Sequence, residues 1–158
     1  MFKDLKNGIK CDIAVIGGGP AGLASALAAR KKGAEVVVME RNFELGGILN
    51  QCIHNGFGLE YYGKDMTGPE FAQCQREELQ TSGIRVIKNT FVTHLNRDRT
   101  LAAVNEAGLL HVDAKSIILA MGCREKTRDA ILLPGARTAG IYTAGQVQYY
   151  VCLLYTSD

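Results

Sequence analysis

The sequence is short of several features that define whole classes of protein. Its five cysteines are scattered and form no Cys-x-x-Cys pair, which argues against a zinc site and against a disulfide scaffold. No run of about 18 apolar residues occurs, so we expect no membrane-spanning helix. The N-terminal stretch MFKDLKNGIK has no apolar signal core, and we therefore expect a cytoplasmic protein.

Strong charge of either sign is also missing. The formal net charge is +2, with no basic tract and no acidic tail, so nothing indicates a nucleic-acid partner. A length of 158 residues is about that of one domain and is enough to bury a single core. Composition therefore predicts one globular domain and no metal site.

What the sequence does contain is a complete βαβ pattern in residues 12–40. An apolar strand over residues 12–16 is expected to run into a glycine-rich turn, and a helix of small residues follows to about Lys32. A second strand over residues 36–39 ends at Glu40. The turn consists of Gly17, Gly18, Gly19, Pro20, Ala21 and Gly22. This order predicts a dinucleotide-binding unit.

The glycines of the turn have separate expected roles. Gly17 permits the tight turn, and Gly22 lets the helix pack closely on the sheet. Gly19 lets backbone N–H groups approach a pyrophosphate, because a side chain there would occupy the place of the phosphate. The helix N-terminus adds unpaired N–H groups and about half a positive charge to this anion site.

Glu40 stands where an acid selects the nucleotide. Its carboxylate is expected to accept hydrogen bonds from both hydroxyls of an adenosine ribose, and a 2′-phosphate there would meet like charge, so NADP should be refused. The alternative is a glycine-rich turn followed by a solvated acid. Strand, turn, helix, second strand and acid all agree, which favours the binding site.

The rest of the chain predicts a Rossmann-like α/β domain with a parallel sheet, helices and a small antiparallel β-meander. A glycine-containing segment reaches Gly68, and a helix then runs from Pro69 to near Gly83. Residues 84–87 form the third parallel strand, and the meander lies across the crossover. Its strands cover residues 91–95, 101–105 and 109–112, with a turn at 105–108, and a buried strand over residues 116–120 follows.

The motif GGGPAG, followed by an acid and then by Arg41, Leu45, Gly46 and Gly47, resembles the FAD-binding half of the two-dinucleotide-domain flavoproteins. This pyridine nucleotide-disulfide oxidoreductase-like superfamily includes thioredoxin reductase and dihydrolipoamide dehydrogenase. Residues 46–72 and 118–151 look like the bacterial FAD- and NAD(P)-dependent oxidoreductases that accompany glycerol-3-phosphate oxidase subunits. The resemblance implies FAD as the cofactor, with Gly46 and Gly47 close to its ribityl and pyrophosphate region.

The resemblance extends the expected site beyond the βαβ unit. IILAMG at residues 117–122 is similar to the superfamily's strand that ends near the adenosine side of FAD, with Met121 in the usual threonine position. Val92 is expected to cover one face of the adenine, or to be a plain strand residue. The predicted cofactor-binding residues are Ile16, Gly17, Gly18, Gly19, Pro20, Ala21, Gly22, Glu40, Arg41, Gly46, Gly47, Ile48, Val92, Ala120, Met121 and Gly122.

Candidates for chemistry are few. Cys52 lies where relatives place a redox disulfide, but it has no second cysteine in this segment, so it is either a lone reactive thiol or a packed one. His54 either donates to the flavin or its pyrophosphate, or stabilises the loop. The charged run at residues 124–128 is expected to be a solvated connection. The alternatives are a contact to flavin phosphate or a salt bridge that joins domains.

The resembled proteins continue into a second, NAD(P)H-binding domain and then return to complete the FAD domain. We expect residues 1–151 to be the N-terminal part of an FAD-binding domain that is incomplete at its C-terminus, with the NAD(P)-binding domain absent. Residues 152–158 resemble translated sequencing-adapter read-through and are interpreted as a non-native tail. The unpaired sheet edge should favour association into oligomers or aggregates.

Two functions follow from this pattern. The first is the FAD-binding part of a flavoprotein oxidoreductase that transfers electrons between NAD(P)H and a small-molecule substrate or a partner oxidase subunit, with little or no turnover by the chain alone. The second is a non-catalytic Rossmann module that binds NAD or another adenine nucleotide. The pair Gly46 and Gly47 favours the first, because a domain that binds only NAD does not require it.

Overall fold

A computed structural model describes residues 8–136 and 138–154, and its main feature is a six-stranded sheet in the order β5-β2-β1-β8-β7-β6. The strands are β1 (Gly8–Ile16), β2 (Val36–Met39), β3 (Asn55–Phe57), β4 (Met66–Thr67), β5 (Arg85–Ile87), β6 (Phe91–Leu95), β7 (Thr100–Asn105) and β8 (Gly108–Leu119). The α-helices are α1 (Pro20–Lys31), α2 (Leu59–Tyr62), α3 (Gly68–Ser82) and α4 (Ala144–Tyr149). A 3₁₀ helix covers Gly47–Gln51 and a π-helix covers Tyr150–Leu154. Of the interpreted tail, residues 155–158 lie outside the described residues, as do residues 1–7.

The sheet confirms the predicted α/β class. Strands β5, β2, β1 and β8 are parallel neighbours, and β7 and β6 continue from β8 in antiparallel pairs. Strands β3 and β4 form a separate antiparallel pair. The first parallel pairs are joined by α1 and α3, as a Rossmann unit requires.

Two strands differ from their predicted bounds. Strand β1 begins at Gly8 rather than at residue 12, because residues 8–11 pair with residues 111–114 of β8. The predicted strands at 109–112 and 116–120 are one continuous strand, β8. Asp113 and Lys115, which lie between the two predicted strands, have exposed side chains, while Ala114 between them is 3% exposed, so the alternation of a strand continues through them.

Alternate residues of the central strands face two different cores. Val15, Val36 and Val38 pack with Leu23 and Leu27 of α1. The intervening residues Ala14, Ile16, Val37 and Met39 pack with Leu101, Ala103 and Val112 of the meander. The meander therefore covers the face of the sheet opposite α1, and this period of two is the expected pattern for a sheet buried on both faces.

The two long helices begin and end at signals present in the sequence. Helix α1 has Gly19 as its N-cap and Pro20 in its first turn, where a missing N–H costs no helical hydrogen bond. Helix α3 begins with a capping box in which the Thr67 side chain accepts the Glu70 N–H and the Glu70 side chain accepts the Thr67 N–H. It ends at Gly83, with φ of 73°, which confirms the predicted helix.

Residues 121–154 form a segment of a different kind, since none of those described is buried. Polar contacts organise it. The Glu125 carboxylate accepts the Gly145 N–H at 2.7 Å and the Thr143 hydroxyl. The Arg128 guanidinium donates to three carbonyl oxygens, those of Leu133, Gly135 and Ala136. Two members of the charged run thus hold their own segment together instead of forming a merely solvated connection.

Candidate functional site

The carboxyl ends of β1, β2 and β8 meet at one edge of the sheet. The Gly17 N–H donates to the Met39 carbonyl at 2.8 Å, and the Ala120 N–H donates to the Ile16 carbonyl at 2.8 Å. The glycine turn therefore lies directly between the ends of two neighbouring strands. In open α/β sheets, ligands bind outside this edge, in the crevice that the strand ends form.

Two of the glycines are required by close backbone packing. Gly17 has φ of 105°, and a Cβ built on it would lie 2.3 Å from the Ala120 carbonyl oxygen. A Cβ on Gly22 would lie 1.9 Å from the Gly17 carbonyl oxygen. Backbone atoms cannot move aside easily, so any larger residue at either position would displace the turn.

Gly19 is different, because the protein itself does not require its glycine. Its backbone is extended, with φ of −77°, and a Cβ there would have no atom nearer than the Gly47 Cα at 4.0 Å. No side chain in the described part of the chain caps the N-terminus of α1. The first turn of α1 thus presents N–H groups to an open space, as an anion site requires.

Glu40 is only 5% exposed and lies beside the same turn. One carboxylate oxygen accepts the Gly18 N–H at 2.6 Å, and the other accepts the Asn42 N–H at 2.8 Å. A carboxylate has about four acceptor sites, so each oxygen keeps capacity for one more donor. The acid is therefore a structural part of the turn as well as the predicted ribose ligand.

A second pair of glycines packs on the first. The Gly46 N–H donates to the Gly18 carbonyl at 2.8 Å, and a Cβ on Gly47 would lie 3.0 Å from the Gly19 Cα. Both residues have left-handed φ values, 118° at Gly46 and 54° at Gly47. The segment around Gly46 and Gly47 therefore forms a second wall beside the open space at Gly19.

The structure brings together Ile16, the glycine turn, Glu40, Gly46, Gly47 and the backbone of Ala120 and Met121. The predicted residues differ in exposure. Ala21, Arg41, Ile48, Met121 and Gly122 are exposed, with Ile48 at 56% and Met121 at 64%. Val92 packs against the core between the sheet and the meander. Its side chain thus has a packing role, and its contact with adenine stays a prediction.

Cys52 and His54 follow the 3₁₀ helix. The Cys52 carbonyl accepts the Gly68 N–H at 2.8 Å, and its Cβ would lie 2.7 Å from a Cβ on Gly68, so Cys52 lies against the start of α3 and is partly buried. His54 is exposed, with Nδ1 2.8 Å from the Asn55 carbonyl oxygen and its ring 5.3 Å from that of Phe57. These contacts favour the packed thiol and the loop-stabilising histidine over the catalytic alternatives.

Arg76 is a residue of this region that the sequence did not single out. Its guanidinium donates to the Leu45 carbonyl at 2.8 Å and to the Asn50 amide oxygen at 3.2 Å. Asn50 itself donates to the Leu45 carbonyl at 3.1 Å. No local signal could have found this contact, because Arg76 is 31 residues from Leu45.

Two surface concavities lie elsewhere. One, of about 570 Å³, is lined by Leu27, Arg30, Lys31, Gly33, Glu78, Thr81 and Ser82. The other, of about 270 Å³, is lined by Glu44, Leu45, Arg76, Leu79, Gln80, Ile84, Val86 and Lys88. Neither includes the glycine turn, which is identified as the candidate site by its chemistry.

The shifted titrations also lie away from the turn. Burial, followed by the nearby carboxylates of Glu35, Asp12 and Asp113, raises the pKa of the Cys11 thiol to about 11. Burial and a hydrogen bond to Glu78 raise the pKa of the Tyr62 hydroxyl. Within the described residues, no group of three or more His, Cys, Asp and Glu side chains could hold a metal ion. No described helix is long and apolar enough to span a bilayer.

Comparison with known proteins agrees with this geometry. The family model for pyridine nucleotide-disulphide oxidoreductases matches residues 11–148. The chain is 30% identical over 112 residues to a ferredoxin–NADP reductase from Leuconostoc citreum, covering 70% of the chain and 33% of the relative. It is 31% identical over 148 residues to an opine oxidase subunit from Agrobacterium tumefaciens, covering 87% of the chain and 28% of the relative.

A solved structure shows the same relationship. Thioredoxin reductase from Streptococcus pyogenes superimposes with a TM-score of 0.58 at 26% identity, over 75% of this chain and 37% of that one. The chain thus spans about a third of the length of each of these three proteins.

Proposed function

The chain belongs to the pyridine nucleotide-disulphide oxidoreductase family, and we propose that it binds FAD as part of a flavoprotein oxidoreductase. The family and the homologues are FAD-dependent, NAD(P)-linked oxidoreductases, which confirms the predicted superfamily and enzyme class. The narrower resemblance to proteins that accompany glycerol-3-phosphate oxidase subunits stays a prediction.

The open space at Gly19 carries this proposal. The protein's own packing explains why Gly17 and Gly22 lack side chains, but nothing in the described residues explains Gly19. A pyrophosphate does, because its oxygens would lie where a Cβ would otherwise project and would accept N–H groups from the first turn of α1. The uncapped helix N-terminus and the vacant side-chain position therefore fit the same group.

Glu40 supports the adenosine end of the proposed ligand. Its carboxylate is fixed by the Gly18 and Asn42 N–H groups, so it is held in one place before any ligand arrives. We propose that its remaining acceptor sites bind the ribose hydroxyls. A 2′-phosphate would place negative charge beside this buried acid, so an unphosphorylated ribose is favoured at this site.

Gly46 and Gly47 support the flavin end. They form the second wall of the open space, and the exposed Ile48 follows them where a flavin ring could cover it. When bound, the isoalloxazine ring would carry the electrons of the reaction. The chain's own part is to bind and orient that group, and we assign no acid or base role to Cys52 or His54.

We propose that the nicotinamide nucleotide of the parent enzyme is bound outside these residues. One glycine fingerprint is present in the sequence, and the chain matches only 33% and 28% of the length of these two relatives. Because the opine oxidase relative is one subunit of its enzyme by name, we favour a partner subunit that donates or accepts electrons, with a small-molecule substrate as the other option. Which of these it is, together with a cytoplasmic location and an oligomeric state, stays a prediction.

An absorbance spectrum of the purified chain tests the proposal. After incubation with FAD and removal of free cofactor, we expect flavin bands at about 375 and 450 nm. Gly19→Val should lose them because its side chain fills the pyrophosphate position. Gly8→Val is the matched control, since it makes the same change at the opposite end of β1, where the nearest atom is 4.0 Å away.

Two results would contradict the proposal. Flavin bands of equal strength in wild type and Gly19→Val would mean that FAD binds elsewhere. A wild-type chain that retains NAD and not FAD would instead indicate the alternative function, a non-catalytic module that recognises an adenine nucleotide through the same glycine turn and Glu40.

A further inference from the structure

Besides packing against α3, the segment that carries Gly46 and Gly47 is hydrogen-bonded to one charged side chain of that helix, Arg76. Arg76 is 18% exposed, and its Nη1 group donates to the Leu45 carbonyl and the Asn50 amide oxygen. Its Nε and Nη2 groups both donate to the Gln73 amide oxygen, at 3.1 and 2.9 Å. Gln73 thus orients the guanidinium toward the segment that lies on the glycine turn.

This attachment acts where the backbone is least able to hold its own shape. Gly46 and Gly47 both have left-handed φ values, and glycine has more conformational freedom to lose than any other residue. Arg76 fixes the carbonyl immediately before the pair and, through Asn50, the helical turn immediately after it. The two glycines are therefore held from both sides.

The ion pair with Glu44 is the smaller part of this contact. Arg76 Nη1 lies 3.3 Å from a Glu44 oxygen, but the Glu44 side chain is 45% exposed, and exposed pairs contribute little. The bonds to the Leu45 carbonyl and to Asn50 are part-buried. Hydrogen bonds from a charged donor to such acceptors are among the stronger ones in proteins.

We propose that Arg76 is a positioning residue for the cofactor: it holds Gly46 and Gly47 against the glycine turn and so determines how tightly the pyrophosphate ligand is bound. This inference rests on the proposed function, because it assumes that the open space at Gly19 is the ligand site. Arg76 itself does not touch the ligand. It acts through the segment from Leu45 to Asn50.

Arg30 provides a matched control on the neighbouring helix. It also joins two elements by donating to backbone carbonyls, from Nε to Ser82 at 3.0 Å and from Nη1 to Ala34 at 3.3 Å. These contacts link the C-terminal ends of α1 and α3 and do not involve the Gly46 segment. Arg30→Ala therefore removes an arginine of the same kind without the proposed effect.

The test is FAD binding by the full chain, followed through quenching of flavin fluorescence, with thermal unfolding of each variant alongside. Arg76→Ala should weaken FAD binding about tenfold, and Arg76→Lys should restore part of the loss because an ammonium can donate to the segment but lacks the Nε and Nη2 groups that Gln73 orients. Arg30→Ala should leave the affinity for FAD unchanged, even if it lowers the unfolding temperature as much as Arg76→Ala does. Equal affinities in wild type and Arg76→Ala, or equal losses in both alanine variants, would overturn the inference.

Amide hydrogen exchange in the absence of FAD separates this inference from the proposed function. In Arg76→Ala the Gly46 amide, which donates to the Gly18 carbonyl, should exchange faster, whereas Arg30→Ala should leave it unchanged. Unchanged Gly46 exchange in Arg76→Ala would overturn the inference even if wild type binds FAD. Faster exchange in Arg76→Ala, together with a wild type that fails to bind FAD, would overturn the proposed function while the contact itself stood.

Discussion

Residues 8–120 and residues 121–154 are held in place by different forces. In the first region, two cores pack on opposite faces of one sheet, and side chains such as Val15 and Leu101 are fully buried. In the second, Leu132 is 86% exposed, and order comes from the polar contacts of Glu125 and Arg128. Apolar burial contributes several times more per residue than exposed hydrogen bonds do, so the first region alone should determine stability.

The largest effect should come from the glycine turn that ends β1. Gly22→Val places side-chain atoms against the Gly17 carbonyl, 1.9 Å from a built Cβ, and should lower the free energy of unfolding by about 4 kcal/mol or more. Gly19→Val, three positions earlier, meets no such contact and should cost only about 1 kcal/mol, because valine is a poorer N-cap residue than glycine. Urea unfolding followed by circular dichroism measures both, and equal losses would refute the distinction between the packed and the open glycine.

A leucine from each region sharpens the contrast. Leu101→Ala empties a fully buried position and should cost about 2 to 5 kcal/mol. Leu132→Ala removes a side chain that is 86% exposed and should change stability by less than about 0.5 kcal/mol. The same unfolding experiment compares them. A large loss at Leu132 would show that residues 121–154 pack more tightly on the sheet than their exposure indicates.

Thiol reactivity compares the regions without any mutation. Cys11 is buried, and burial together with nearby carboxylates raises its pKa to about 11 from 9.0, whereas Cys123 is exposed. A shift of two units lowers the thiolate fraction about a hundredfold. Iodoacetamide labelling followed by mass spectrometry should therefore modify Cys123 long before Cys11. Comparable labelling rates would mean that the core around Cys11 opens readily.

Within the second region, Glu125 should matter locally and nowhere else. Glu125→Ala removes the acceptor of the Gly145 N–H and the Thr143 hydroxyl, so trypsin should cut at the exposed Arg124 and Lys126 a few times faster. The unfolding temperature should stay the same, because no residue of the segment that the structure describes is buried. A fall in that temperature would show that the contacts of residues 121–154 contribute to the stability of residues 8–120.

The smallest effect is expected from a surface pair in the first region. The Lys115 ammonium, 2.6 Å away, and the Glu35 N–H hold the pKa of the Asp12 carboxyl below its usual 3.8. The resulting stability is present above the unfolded-state pKa and is lost as pH falls through the lower folded value. Unfolding temperatures of wild type and Asp12→Asn should differ slightly at about pH 6 and converge only when the pH falls below the folded-state pKa, which lies under 3.8. A difference in unfolding temperature that does not change with pH would exclude the ionisation of Asp12 as its source.

The sequence predicted those parts of the fold whose signals are local. Strand β2 and helix α3 have apolar patterns, caps and glycine ends that lie within the elements themselves. For strand β8 the sequence predicted two strands, over residues 109–112 and 116–120, although the side chains of Asp113 and Lys115 between them only alternate outward. Pairing on both sides of that strand decides its length, and pairing is not visible in one segment alone.

In the candidate site, too, the local features could be predicted from the sequence and the long-range contacts could not. Gly17, Gly19, Gly22 and Glu40 occupy a short stretch with fixed spacing, so their proximity could be predicted. The role of Arg76 depends on how α3 packs beside a distant segment, which no spacing encodes. The sequence also predicted separate roles for these glycines, but the contacts that make Gly17 and Gly22 necessary, and the open space at Gly19, depend on the positions of Ala120 and Gly47.

The most direct test of the account is a map of backbone amide shifts in the ¹⁵N-labelled chain as FAD is added. The account predicts that perturbations concentrate at residues 17–23, at Glu40 and at Gly46 and Gly47, and that the amides around Leu132 stay unchanged. Shifts centred on the concavity between Glu44 and Lys88, or no shifts at saturating FAD, would contradict the claim that the open glycine turn is the cofactor site.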